Sequence, residues 1–398
     1  MRIAIISDLA GCSWAGCEEV WAALAKTALQ DGHRVAFYQC REAIDPQKIQ
    51  PLQHLGLELI PPNINSRVVD AVKTRVSWKL GSLAARWLSR FSGIRKFAPD
   101  VIFLNAGVAV PPPEFIDSLE RDGVLAFPYV LMCHNSYLFE KPFERNVQEI
   151  AARYYQKARR VLFVAERTYK ETEHLLAAKL DHVTIVRNPV NMSDTSPLSM
   201  PAGSTVRIAS VGRLAMNSKG QDTLLAALGS PRFIDRDWQL SIYGDGPHQA
   251  HLKRLAEHYR ISERVAFKGY AHDVRAIWAE NHILALSSRN ESAPLVIVEA
   301  MLCGRPSVAN DVGGIREWIN EPETGFISDG IDIDSFQDAL ERAWSARSEW
   351  EAIGLRARNK ALKMIDPDPG RTVLNILLDV AAQRRPGIRV ESKETNHA

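Results

Sequence analysis

Short apolar runs rich in β-branched residues alternate with helix-periodic stretches along most of this chain, in two successive series. That alternation demands parallel strands joined by crossover helices, because a tight hairpin turn cannot connect parallel neighbours. The first series predicts strands over 3–7, 34–38, 101–104, 129–133, 161–164 and 183–186, with a helix over 17–30 closed by Gly32. Residues 191–204, rich in Ser, Pro, Thr, Met and Gly and without periodicity, read as a linker. The second series predicts strands over 206–211, 238–243, 265–267, 283–286, 307–309 and 325–327, then helices over about 331–345, 348–364 and 371–382. The expectation is an α/β chain of two Rossmann-like, doubly wound domains, residues 1–195 and 205–365, followed by a last helix and a polar tail over 366–398. In such sheets ligands bind at the carboxyl ends of the strands, so a cleft between the domains is the expected site.

Composition narrows the function classes. At 398 residues and 46% hydrophobic, the chain exceeds one typical core. Its 49 Lys and Arg nearly cancel 47 Asp and Glu, which argues against a nucleic-acid binder. The five cysteines, Cys12, Cys17, Cys40, Cys133 and Cys303, form no C-x-x-C pair and are odd in number, so neither a disulfide framework nor a zinc site is suggested. The N-terminal run reaches Asp8 after one short apolar strand pattern, unlike a signal peptide, and no apolar stretch approaches the roughly 18 to 20 residues that span a bilayer. A cytoplasmic protein, at most peripheral to a membrane, is expected.

Several loops after strands carry chemistry. Gly11 and Gly16 precede the first helix with P-loop spacing, but Cys17-Glu18 stands where Lys-Ser/Thr would be needed. ATP hydrolysis of that type is therefore not expected, while the unpaired amides of a helix start still suit an anion; a plain strand-to-helix turn is the alternative. Tyr243-Gly244-Asp245-Gly246-Pro247 lacks the third glycine of a dinucleotide fingerprint and reads as a turn with Pro247 at the first helical position. Arg213 and Lys219 share the loop after strand 206–211, where both can face a diphosphate, or else stand as two solvated surface cations.

The segment from Asn290 to Gly304 is the most informative. Pro294 fits the first helical position and Gly304 the stop, and every residue of the helix between them is apolar except Glu299. A lone carboxylate on a buried helix needs a partner, either a structural cation or a hydroxylated ligand. Glu291 lies just before that helix, so two acceptor-only groups can meet a polyol such as a sugar or a ribose.

Taken together, Val211-Gly212-Arg213 with Lys219-Gly220, Tyr243-Gly244-Asp245-Gly246-Pro247, Glu291 and Glu299 eight apart, and Gly313-Gly314-Ile315-Arg316-Glu317 resemble the retaining glycosyltransferases of family 4, which have the two-domain GT-B fold. Gly16-Cys17-Glu18-Glu19, Gly32-His33-Arg34-Val35, His134-Asn135 and Arg187-Asn188-Pro189-Val190 match more loosely. The resemblance implies that Arg213 and Lys219 hold the diphosphate of a nucleotide-sugar donor, Glu299 its ribose and Glu291 the hydroxyls of its sugar. It further implies that Leu295 and Val296 join the nucleotide-sugar site, that Gly16 lets its loop approach the phosphates, that His134 lies near the anomeric carbon or the acceptor, and that helix 371–382 crosses back to the first domain. Two departures stand out: Ser292-Ala293-Pro294 where the family often has Gly-Phe-Gly, and Cys17 where small residues are common.

The implied reaction is sugar transfer with retention to a saccharide or lipid-linked acceptor. No D-x-D motif ends a strand: Asp366-Pro367-Asp368 reads as a turn and Asp332-Ile333-Asp334 as a helix start, so metal independence is expected and no cofactor beyond the nucleotide sugar is implied. A nucleotide-sugar epimerase of the same architecture and a non-catalytic, two-lobed sugar-binding protein are the alternatives. One stretch, 67–97, carries eight bases against one acid with apolar residues at helical spacing, a charge of +7 that leaves −5 for the rest of the chain. Such a segment can lie on an anionic membrane surface or pack as a helix with a solvated basic face.

Overall fold

The computed structural model describes residues 1–8, 14, 16–38, 45–61, 91–136, 145–190 and 192–383. Two parallel sheets organise them. The first has the order β3-β2-β1-β4-β5-β6-β7, built from β1 Arg2–Ser7, β2 Arg34–Tyr38, β3 Glu58–Ile60, β4 Val101–Ala106, β5 Tyr129–Cys133, β6 Arg160–Phe163 and β7 Val183–Ile185. The second has the order β10-β9-β8-β11-β12-β13, from β8 Val206–Val211, β9 Trp238–Tyr243, β10 Val265–Gly269, β11 Ile283–Leu286, β12 Ser307–Asn310 and β13 Phe326–Ser328. Each sheet reverses its winding once, between β1 and β4 in the first and between β8 and β11 in the second, which fixes a crevice at the carboxyl ends of those four strands.

The central strands are buried on both faces, as the continuous apolar runs Ile3-Ala4-Ile5-Ile6 and Ile283-Leu284-Ala285-Leu286 require of parallel sheets under helices. Strand β3 escapes the sequence pattern because it is a three-residue edge strand whose Glu58 is exposed. Two helices start later than the proline positions predict. Helix Gln249–His258 begins after His248, because the His248 N–H is drawn to the Leu214 carbonyl (3.1 Å), which leaves Pro247 in the preceding turn. Helix Leu295–Leu302 likewise starts one residue beyond Pro294, whose ψ of 112° is extended; the Ser292 carbonyl accepts from Gly314 N–H (2.6 Å) and holds this stretch out of the helix.

The linker is fastened to the second domain rather than free. Arg305, with 0% exposure, donates from Nε to the carbonyls of Trp278 (2.8 Å) and Asn281 (2.9 Å), and from Nη1 and Nη2 to those of Leu198 (2.9 Å) and Ser199 (2.7 Å). Arg275 donates to the carbonyls of Asp194 and Ser196, each at 2.9 Å, and Arg358 to that of Thr195 (3.0 Å). A buried guanidinium surrounded by carbonyl dipoles keeps its charge without a carboxylate, and the linker's backbone acceptors are satisfied in the same step.

Helix Pro369–Ala382 packs on the first domain. Its Val373, Leu374, Leu377 and Val380 join the core formed by Ile3, Ile5, Trp21, Leu24 and Ala28. Arg371 pairs with Asp31 at the end of helix Glu18–Gln30. Residues 67–90 of the basic stretch lie outside the described residues; of its apolar positions, Phe91 and Ile94 are buried. Among the described residues no helix is long and apolar enough to cross a membrane.

Gly370 gives this docking its test, since a Cβ there would stand 2.5 Å from the Ala23 carbonyl oxygen of helix Glu18–Gln30. Gly370→Val should cost about 1–3 kcal/mol, the usual penalty of overpacking, and lower the thermal midpoint by several degrees. A scanning-calorimetry trace superimposable on wild type would refute the packing.

Candidate functional site

On the second domain the site begins where β8 ends. Leu214 is fully buried and anchors the loop through its N–H to the Asp245 carbonyl (3.0 Å), while Gln221 Nε2 donates to the Arg213 carbonyl (2.9 Å). The Arg213 backbone is thereby fixed and its side chain exposed, with no partner among the described residues. Lys219 closes the short helix Met216–Lys219 and its Nζ donates to Glu291 Oε1 (2.6 Å), an oxygen that also accepts from Ser288 Oγ (2.8 Å). Thus the lysine expected on a diphosphate rests on the glutamate expected on a sugar. Glu291 is 9% exposed and Lys219 27%.

Two features hold these loops in place: Arg289, which the sequence pattern does not single out, and Gly313 of the 313–317 motif. Arg289 forms a bidentate pair with Asp222 (2.8 and 2.7 Å) and donates to Thr223 Oγ1 (2.9 Å) and the Met216 carbonyl (2.6 Å), while the amides of Arg289 and Asn290 both donate to the Ser218 carbonyl. The loop bearing Glu291 is thereby sewn to the loop bearing Lys219. Gly313, at φ +53°, passes so close to the Glu291 carbonyl that any Cβ there would overlap it. The glycine pair of the 313–317 motif is therefore a backbone crossing that seats Glu291.

Helix Leu295–Leu302 carries Glu299. Ile297, Val298, Ala300, Met301 and Leu302 are buried around it, and Glu299 itself is partly exposed with no hydrogen-bond partner among the described residues. Burial pushes its carboxyl up to about 7. The amides of Leu295 and Val296 precede the first helical hydrogen bond, Ile297 N–H to the Pro294 carbonyl (3.2 Å), and Pro294 supplies no side-chain cap. Gly16 of the first domain faces this helix start, since a Cβ on it would lie 3.7 Å from Leu295 Cδ1.

In the first domain His134 directly follows β5 and is buried, with Nε2 2.8 Å from Asn105 Oδ1. Desolvation lowers its pKa to about 3, so the ring is neutral. Asn105 and buried Glu18 were not singled out as functional from the sequence; the available signal was a polar residue at the carboxyl end of an otherwise apolar strand. The two domains are stitched beside the site by the 313–317 motif and its neighbour Asp311. Glu317 accepts from the Glu166 amide (2.7 Å) and from Arg187 Nη1 (2.9 Å), and Arg167 Nη1 reaches Asp311 (2.6 Å). Among the described residues no three His, Cys, Asp or Glu side chains converge as a metal site.

Residues 14–194 match the family model described as Glycosyltransferase Family 4, and residues 205–346 that of Glycosyl transferases group 1. The chain is 31% identical over 164 residues, 41% of its length, to an uncharacterized glycosyltransferase of Haemophilus influenzae. It is 33% identical over 153 residues, 36% of its length, to a GDP-mannose-dependent alpha-(1-6)-phosphatidylinositol monomannoside mannosyltransferase of Mycolicibacterium smegmatis. The matches span 46% and 40% of these relatives, less than two thirds of either. Among solved structures, a glycosyltransferase from Rickettsia africae superposes with a TM-score of 0.72 at 16% identity, over 96% of this chain and 99% of that one. Anabaena Alr3699/HepE in complex with UDP superposes at 0.70 and 17% identity, over 96% and 100%. With both halves matched by the family models and the two-sheet architecture shared with these structures, the chain belongs to the family 4, group 1 glycosyltransferases of GT-B fold.

Proposed function

We propose that this protein transfers a sugar from a nucleoside diphosphate sugar to a saccharide or lipid-linked acceptor, with retention of anomeric configuration and without a metal ion. The observation that carries the reading is the switch point of the second sheet, where the cations Arg213 and Lys219 and the carboxylates Glu291 and Glu299 come from the connections after adjacent strands β8 and β11. Relatives supply further support: one is named for GDP-mannose, and solved neighbours carry UDP or UDP-glucose. Retention rests on the family resemblance, and the membrane-facing role of 67–97 stays a proposal beside it.

In this reading the departing diphosphate gathers charge as the bond to the anomeric carbon breaks, and preorganised donors stabilise it. Arg213 is already free to take one phosphate. Lys219 exchanges Glu291 for the other, and the released Glu291 accepts a hydroxyl of the sugar. The amides of Leu295 and Val296, with Gly16 opposite, complete the anion's surroundings, and Glu299 accepts from the ribose. The two cations occupy the part a metal ion would otherwise play.

Removing either cation should be severe. Arg213→Ala or Lys219→Ala is expected to lower turnover roughly a hundredfold or more, as loss of one oxyanion-type donor does; near-wild-type rates with UDP, GDP and ADP sugars identified by thermal shift would sink the assignment. Activity should survive EDTA, and a loss restored by Mg²⁺ would contradict metal independence.

Glu299 gives a pH test. Its folded pKa of about 7 lies above the ordinary carboxyl value of 4.5, so the folded state binds more protons between those values, and the associated stability, about 3 kcal/mol, declines as pH rises through that window. Ribose hydroxyls donate to the ionised form, so nucleoside diphosphate affinity should rise about tenfold between pH 6 and 8. Glu299→Gln should abolish the rise in affinity between pH 6 and 8, measured by calorimetric titration; a parallel slope in both proteins would refute the role.

A further inference from the structure

We propose that Asn105 and Glu18 are positioning residues that fix His134 as the neutral tautomer protonated on Nε2, so that Nδ1 is held as the acceptor of a substrate sugar hydroxyl. The identity of the hydroxyl rests on the transferase reading above; the tautomer does not.

The neighbouring strands β1, β4 and β5 bring these residues together. Ser7 closes β1 and is paired in register with Asn105 of β4, while Ala106 is paired with Cys133, the residue before His134. The Asn105 amide therefore lies between the first helix and the histidine. Its Nδ2 donates to Glu18 Oε1 (3.1 Å), to the Cys17 carbonyl (3.3 Å) and to Ser7 Oγ (3.3 Å). A backbone carbonyl accepts at every pH, so an inverted amide would set oxygen against oxygen on this side. Oδ1 is thus committed to the other side, 2.8 Å from His134 Nε2. An amide oxygen can only accept, so Nε2 must carry the proton.

Glu18 is what makes the amide rigid. The carboxylate is buried, and it accepts from Ser7 Oγ (2.7 Å) and from Trp21 Nε1 (2.7 Å), an obligate donor on the same helix. These bonds hold Oε1 where Asn105 needs it, and among the described residues no cation pairs with it. A neutral imidazole protonated on Nε2 keeps its lone pair on Nδ1, and that nitrogen has no partner among the described residues. His134 can therefore accept a hydroxyl proton in a hydrogen bond but has none of its own to give from Nδ1. That chemistry fits a sugar hydroxyl and not a phosphate oxygen, which is itself an acceptor.

The test reads the tautomer directly. Nitrogen-15 spectra of the histidine-labelled full chain, without ligand, should show His134 protonated on Nε2 and bare on Nδ1 between pH 5 and 8. A proton on Nδ1 would overturn the proposal. Asn105→Leu, near in shape but without an acceptor, should yield both tautomers, and Glu18→Gln, the milder change, should also admit the second; a pure Nε2–H spectrum in both variants overturns it. In turnover, Asn105→Leu should lower kcat/KM about tenfold, the effect of one misdirected hydrogen bond. On a His134→Ala background the same change should cost nothing further, and a second full tenfold loss would show that Asn105 does not act through His134. An Nε2–H spectrum in a protein that turns over no nucleotide sugar would leave the tautomer lock standing and refute the transferase reading alone.

Discussion

A doubly wound parallel sheet opens a crevice at its carboxyl edge where two neighbouring strands send their connections to opposite faces, and the functional candidates of this chain collect at two such places. Ser7 ends β1 and Asn105 stands one residue before the end of β4 in the first sheet, and the loops with Arg213 and Glu291 leave β8 and β11 in the second. The constraint is topological: the crevice exists because strand order reverses there. Which groups fill it is then a matter of a few side chains, and the same core could carry other chemistry.

Charge placement separates structural from ligand-directed groups. Arg305 is fully buried yet satisfied by carbonyls from two flanking segments and the linker. Glu18 is buried and satisfied by hydroxyl, indole and amide donors. Glu299, on an apolar helix, has no such partner among the described residues, and its carboxyl responds by holding its proton to about 7. Burial of a carboxyl group favours its neutral form. The contrast within one molecule is that Glu299 has no hydrogen-bond partner among the described residues, whereas Arg305 and Glu18 are already complete.

The sequence makes the strands legible because each central one is a continuous apolar run, and it makes Glu299 legible because a single charge interrupts an apolar helix. It hides β3, a three-residue edge strand, and it misplaces the helix starts at Pro247 and Pro294, where long-range hydrogen bonds to Leu214 and Gly314 override the local proline preference. Asn105 and Arg289, and the roles of Glu18 and Glu317 within their motifs, are hidden for another reason. Each is an ordinary polar residue whose importance lies in a partner far along the chain, as Asn105 with His134 or Arg187 with Glu317. Periodicity reports burial, and it carries no record of such pairings.

Glu291 is where these threads meet. Its carboxylate holds Lys219, its carbonyl is crossed by Gly313, and its loop is sewn by Arg289 to the helix that ends in Lys219. Four residues beyond Gly313, Glu317 is bound to the first domain through the Glu166 amide and Arg187. The glutamate's position and the placement of one domain on the other are therefore set by one continuous stretch of backbone. A change at Gly313 would displace both together, whereas loss of Lys219 would touch only the carboxylate. That difference follows from which atom of Glu291 is engaged: the backbone crossing fixes where the residue stands, and the side-chain pair fixes only what it holds.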